Sequence, residues 1–186
     1  MVEEKVFADK KKKNIVRENS KTKDLVLTGL LVALVFVATR FINIRLPIQS
    51  NGGLIHLGNT MLFMIAIVFG SKKAAVAGAF GMGLFDVLSG WAVWAPFTFI
   101  IRGVMGYLIG TISQAGGKKG NSFTRNLIAI TVGGIWMLLG YYIAEVILYG
   151  NWIVPFGSIP GDIVQVVLGA MIGLPMAAAL KKSKVV

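Results

Sequence analysis

Apolar positions gather into six long blocks, about Leu25–Ile44, Leu57–Gly70, Ala74–Gly90, Pro96–Ser113, Asn126–Tyr149 and Gly161–Leu180. A membrane-spanning helix needs about 20 mostly apolar residues at about 1.5 Å of rise each, so each block predicts a membrane helix. The second and third blocks are short, and Ser71-Lys72-Lys73 separates them. One helix from Leu57 to Gly90 would measure about 51 Å against a hydrocarbon core of about 30 Å. A tight helical hairpin is therefore expected. The first 24 residues mix both charge signs without an apolar period. They read as a solvated arm, suited to anionic lipid. Residues Leu25–Ala38 also resemble the apolar region of a signal peptide. The arm is long for that, and no Ala-x-Ala site follows before Arg40, so this block reads as the first membrane helix.

Composition narrows the class. Only 15% of the 186 residues are charged and 55% are hydrophobic, whereas soluble domains carry about 25% charged residues. Disordered chains are poor in apolar residues, so disorder is excluded as well. Cysteine is absent, and His56 is the single histidine. Thiolate chemistry is excluded, an imidazole-built metal site is not expected, and no cofactor is called for.

The net charge of +11 would suit nucleic acid, but the placement of the charges points elsewhere. Sixteen of the nineteen Lys and Arg residues lie in the N-terminal arm, at Lys72 and Lys73, at Lys118, Lys119 and Arg125, and at Lys181, Lys182 and Lys184. With alternating spans these positions share one membrane face. Basic loops stay in the cytoplasm, so both termini are expected there, which an even number of spans satisfies. The sequence thus predicts an all-α integral membrane protein: an arm over residues 1–24 and a six-helix domain over 25–182.

Intramembrane polar groups are costly and therefore informative. Asp86 lies about 6 Å and Arg102 about 9 Å inside the outer ends of their spans at helical rise. Glu145, Asp162, Gln165, His56 and Asn59 also fall near outer ends, and the inner half of the bundle is nearly free of ionisable side chains. A proton relay or channel needs polar groups through the whole thickness. A pocket that collects a small polar solute from outside needs them only near its entrance. The segment Leu46–His56, with Pro47, Gln49, Ser50, Asn51, Gly52 and Gly53, suits a movable cover. Trp91, Trp94 and Trp152 form either an interfacial aromatic belt or a stacking platform. Asp86 and Arg102 are expected to pair between neighbouring helices and to border the site. Asp162, after Pro160-Gly161, suits a helix N-cap. Glu145 could snorkel to water, and His56 is expected to hydrogen-bond without catalysing.

Gly29 and Ala33 make a small-x-x-x-small pattern in the first span, and Gly78, Gly81 and Gly83 line the third. Such spacing allows close helix approach. Internal packing accounts for the third span, whereas the first also suits docking of another membrane subunit. No Gly-x-x-x-x-Gly-Lys-Ser/Thr loop occurs, so ATP binding by this chain is not expected. Gly116-Gly117-Lys118-Lys119-Gly120 reads as a turn.

Three stretches carry a family resemblance: Gly53–Asn59 with His56 between them, Phe69–Gly78, and Gly83 through Asp86, Gly90, Trp94 and Pro96 to Arg102-Gly103. They resemble substrate-binding (S) components of energy-coupling factor (ECF) transporters, in the branch for hydroxymethylpyrimidine, pyridoxine and related vitamins. The resemblance implies a six-helix binder of a small vitamin near the outer face. It also implies partners, a transmembrane coupling (T) subunit and two ABC-type ATPases, and delivery by toppling of the binder within the cell membrane. Ligand-binding residues are then expected among His56, Asn59, Asp86, Trp91, Trp94, Arg102, Glu145 and Gln165. The family's Ala-x-x-x-Ala docking motif falls on Gly29 and Ala33, which keeps both positions small. Two other functions compete. A self-sufficient ion-coupled carrier would need coupling groups deeper in the membrane, and a small membrane enzyme would need a catalytic constellation that is not visible here.

Overall fold

The computed structural model describes residues 2–41, 43–45 and 54–183, with side chains at 18–41, 43 and 56–183. Helix α1 spans Val2–Phe41, about 60 Å at helical rise. It is twice the length of the predicted first span, because the charged arm continues the same helix. Residues 2–28 contain neither glycine nor proline and are rich in Lys and Glu, which favour helix. A short antiparallel ribbon follows, β1 (Asn43–Arg45) with β2 (Leu54–His56), in the register Asn43 to His56 and Arg45 to Leu54. The sequence reading had no strand here. The predicted cover over residues 46–53 lies outside the described residues.

The remaining helices are α2 (Gly58–Phe69), α3 (Ser71–Leu88), α4 (Ala95–Gln114), α5 (Phe123–Tyr149) and α6 (Ile159–Lys182). Short 3-10 turns at Ala115–Gly117 and Val154–Gly157 lie in the two loops flanking α5. The predicted hairpin is present, but Lys72 and Lys73 belong to the first turn of α3. The linker is Gly70 alone, at φ 88° and ψ −179°, a conformation that glycine adopts without steric cost. Gly58 lies against Met82 and Leu62 against Gly78, pairs equidistant from Gly70, so α2 and α3 run antiparallel.

Helix α2 is apolar on every side and almost wholly buried, as expected for a helix enclosed by protein. It packs against α1, α3, α4 and α6. Its 12 residues rise only about 18 Å, less than a bilayer core. Four stretches, Glu18–Phe41, Ala95–Gly117, Phe123–Tyr149 and Ile159–Lys182, are long and apolar enough to cross a membrane. The expectation of six full spans is thus met by four. α2 is short because it is a central strut, and α3 carries Lys72, Lys73 and Asp86 within 18 residues.

Glycines set the tightest contacts. A Cβ on Gly78 would stand 2.7 Å from the carbonyl oxygen of Arg102, and one on Gly106 would stand 2.5 Å from that of Ala74. The backbones of α3 and α4 therefore touch. Gly169 and Gly173 do the same for α6 against Asn59, Thr60 and Phe63 of α2. At one end of the bundle Lys73 pairs with Asp24 at 2.6 Å, and Lys181 Nζ donates to the carbonyl of Lys119. That end thus gathers the start of the apolar part of α1, the α2–α3 turn, the α4–α5 loop and the end of α6. His56, Trp94 and Ser158 lie at the other.

Candidate functional site

Arg102 sits about two turns into α4 and is only 3% exposed. Its Nη1 donates to Asn59 Oδ1 at 2.6 Å and to Met137 Sδ at 2.7 Å, with Met105 Sδ at 3.7 Å. Its Nε donates to the Tyr141 hydroxyl at 3.1 Å, and the guanidinium carbon stands 5.0 Å from that ring's centre. The Tyr141 hydroxyl also bonds Thr98 Oγ1 at 3.1 Å. Three helices thus converge on one cation: α2 through Asn59, α4 through Thr98 and Met105, and α5 through Met137 and Tyr141.

The expected Asp86–Arg102 ion pair does not form within 4.0 Å. Asp86 lies beside Thr98 and within the field of Arg102, one residue short of direct contact. The direct hydrogen-bond partners of the guanidinium are therefore all neutral, with Asp86 and Asp162 in its field but without a salt bridge to it. Its Nη2 makes no hydrogen bond among the described residues. Such a group is costly to bury, and a ligand offering a lone pair would satisfy it.

A second polar group adjoins the first. His56, at the end of β2, accepts the backbone N–H of Gly58 on Nδ1 at 3.1 Å. Nε2 then carries the proton; the Gln165 amide nitrogen lies 3.0 Å from it, and this tautomer bonds Gln165 once the amide is turned to present its oxygen. Burial first, and the Arg102 charge second, push the His56 pKa down to about 3, so the ring is neutral at pH 7. Phe85 packs near the imidazole at 6.5 Å between ring centres.

Trp94 is half-buried and stands between Tyr141 and Tyr149, with ring centres 6.4 and 6.2 Å away. Trp91 is half-buried, and its backbone N–H bonds the Asp86 carbonyl at 2.9 Å. The Trp94 indole borders the cluster through Tyr141. Trp152 is 68% exposed.

Glu145 does not snorkel. It is 5% exposed and accepts the Ser158 hydroxyl at 2.9 Å, because the turn at Val154–Gly157 folds over it. Nor is Asp162 the N-cap. Pro160 lets α6 begin at Ile159, so Ser158 takes the cap position and Asp162 falls in the first turn. Asp162 remains within electrostatic reach of both Arg102 and Glu145.

The sequence reading missed Tyr141, Thr98, Met105 and Met137. Tyr141 lies four residues before the recognised Glu145 on the same helix face, which is the one signal that could have found it. Gly29 and Ala33 lie away from the cluster on an exposed face of α1, where a Cβ on Gly29 would meet nothing within 4 Å.

Comparison with known proteins bears on this geometry. The family described as "ECF-type riboflavin transporter, S component" matches residues 19–182. A curated protein of Pyrococcus woesei, described as "Uncharacterized protein in gap 3'region", is 36% identical over 142 residues, or 75% of this chain and 90% of that protein. The thiamine precursor transporter HmpT of Lactococcus lactis subsp. cremoris is 27% identical over 166 residues, or 89% of this chain and 92% of that protein. The match begins in the last residues of the basic arm and runs through every helix that contributes to the Arg102 cluster. The chain belongs to the S components of ECF-type transporters, non-enzymatic transport subunits that are multi-pass proteins of the cell membrane.

Proposed function

We propose that this chain captures a hydroxymethylpyrimidine-type vitamin precursor at the outer side of a prokaryotic cytoplasmic membrane. It hands the ligand inward together with a T component and two ABC-type ATPases. One observation supports this reading: every hydrogen bond of the Arg102 guanidinium goes to a neutral partner, and its Nη2 makes none among the described residues while not being one of the fully buried polar atoms that lack a partner. A pyrimidine nitrogen or a hydroxymethyl oxygen is a neutral acceptor of the required kind. Trp94, Tyr141 and Tyr149 supply flat walls for a single ring, and His56–Gln165 supplies a neutral donor–acceptor pair. Small-ligand sites combine mostly apolar walls with a few placed polar groups in this way.

Sidedness follows from charge. The end bearing Lys119 and Lys181 faces the cytoplasm by the retention of basic loops, which leaves the Arg102 cluster facing outward. All six helices then belong to the membrane domain, with α2 shielded from lipid, and both termini are cytoplasmic. Gly29 and Ala33 would form the T-component face.

The relative HmpT supports the pyrimidine ligand. A second reading, riboflavin, comes from the description of the matching family. Pyridoxine is named by neither. Calorimetric titration of the purified chain with each compound separates them. Saturable binding of hydroxymethylpyrimidine with weak or absent riboflavin binding is expected, and the reverse order would overturn the ligand assignment. Uptake into liposomes by the chain alone, driven by a proton or sodium gradient, would instead restore the self-sufficient carrier.

A further inference from the structure

The basic residues at the inner end of the bundle are not equivalent. Lys73 is neutralised by Asp24 at 2.6 Å. The α4–α5 loop has no such partner, since no acidic residue occurs from Val87 to Ala144 or from Ile163 to the C-terminus. Lys118, Lys119, Arg125, Lys181 and Lys182 therefore concentrate positive charge at one corner, with no salt bridge to any of them among the described residues.

The corner is built rather than frayed. Arg125 Nη1 holds the Ala115 carbonyl at 2.5 Å. The Asn126 amide holds the Gly120 carbonyl at 2.8 Å, and Gly120 N–H bonds the Ser113 carbonyl at 3.0 Å. Lys181 reaches across from α6 to the Lys119 carbonyl. Lys119 itself stands at φ +47°, a left-handed conformation that disfavours a side chain. Glycine would fit that backbone better. Lys118 and Lys119 are exposed, and beside them on the first turns of α5 Phe123 is 66% and Leu127 45% exposed.

We propose that this corner binds the phosphate of an anionic phospholipid, gripped by Lys118, Lys119 and Arg125, with Phe123 and Leu127 against the acyl chains. The adjacency of these cations to exposed apolar side chains at a helix end selects an amphipathic anion over a soluble one. Each cation near an anionic lipid surface is worth roughly a five-fold change in binding.

The test uses the full chain purified in neutral detergent. Retained phosphatidylglycerol and phosphatidylcholine are counted by native mass spectrometry during lipid titration. The double variant Lys118→Gln/Lys119→Gly removes two cations, and its glycine relieves a strained backbone, so folding is not at risk. Phosphatidylglycerol binding should weaken about 25-fold in this variant, while Lys72→Gln changes it less than two-fold. Unchanged phosphatidylglycerol binding by the double variant would overturn the site. Equal retention of phosphatidylcholine by the wild type, or displacement of the lipid by millimolar glycerol phosphate, would overturn the choice of an anionic lipid.

Discussion

Replacing Arg102 with methionine separates two roles of one buried cation. On the folding side the variant loses charge-assisted bonds to Asn59 at 2.6 Å and Tyr141 at 3.1 Å. Asn59 Oδ1, in a residue with 0% exposure, is then left without its donor, at a cost of about 1–3 kcal/mol. Against this, the fold no longer carries the desolvation of a buried guanidinium, itself several kcal/mol. The two terms nearly cancel, and methionine packs beside Met105 and Met137. The unfolding midpoint should therefore shift by no more than about 4 °C.

On the binding side nothing offsets the loss. A charge-assisted hydrogen bond to ligand contributes about 1.5–3 kcal/mol, so affinity for hydroxymethylpyrimidine should fall about 10- to 150-fold. Arg102→Lys should fall nearly as far, because a single ammonium cannot serve Asn59, Tyr141 and a ligand from one fork. Calorimetric titration in detergent reads the affinity, and a thermal scan of the same sample reads the fold. A folded Arg102→Met protein that binds within two-fold of wild type would refute the site.

Three further outcomes follow from particular contacts. The His56 pKa lies near 3 in the fold against 6.5 unfolded, so the unfolded chain takes up the proton first. Stability is complete above pH 6.5 and declines as pH falls toward 3, by about 2 kcal/mol at pH 5; thermal scans should show this loss, and His56→Gln should abolish it. Gly78→Ala forces a methyl to 2.7 Å from the Arg102 carbonyl and 2.9 Å from Leu62 Cδ1, which should cost about 1–3 kcal/mol and weaken ligand binding in calorimetry through displacement of α4. Gly29→Trp and Ala33→Trp lie on an exposed face, so ligand affinity should stay within two-fold while co-purification with the T component is lost; retained assembly would refute the docking face.

Sequence alone carried the helices because burying a backbone in lipid demands long apolar runs, and those runs are plain. Helix α4 begins at Ala95 where Pro96 was expected, and α6 ends at Lys182 where Leu180 was expected. It failed where tertiary context decides. The α2–α3 linker is one glycine rather than Ser71-Lys72-Lys73, since a lysine in a first helical turn looks the same on paper as one in a loop. The β1–β2 ribbon is three residues a side, too short for any alternation to register. Asn59 and Arg102 were legible because polar groups in an apolar run are conspicuous. Tyr141 was not, because a tyrosine in a membrane helix fits an aromatic belt equally well, and its link to Arg102 spans 39 positions.

The failed Asp86–Arg102 pair explains more than the expected one would have. A cation paired to a carboxylate is held by that partner and is expensive to recruit to anything else. Arg102 is instead placed by packing: Gly78 brings α3 against its own carbonyl, Gly140 seats α5 against Ile101, and Gly169 admits α6 to Asn59. One backbone contact at Arg102 and close glycine contacts at its neighbours Ile101 and Asn59 set the depth of the guanidinium. Its hydrogen bonds go to an amide, a hydroxyl and two thioethers, of which the sulfurs are weak acceptors. A group positioned by rigid neighbours but only weakly satisfied by them can hydrogen-bond a small neutral ligand without first breaking a strong pair. For a subunit that must later release the same ligand, that combination favours moderate rather than irreversible capture, and it locates the control of affinity in the glycines behind Arg102 as much as in the side chains around it.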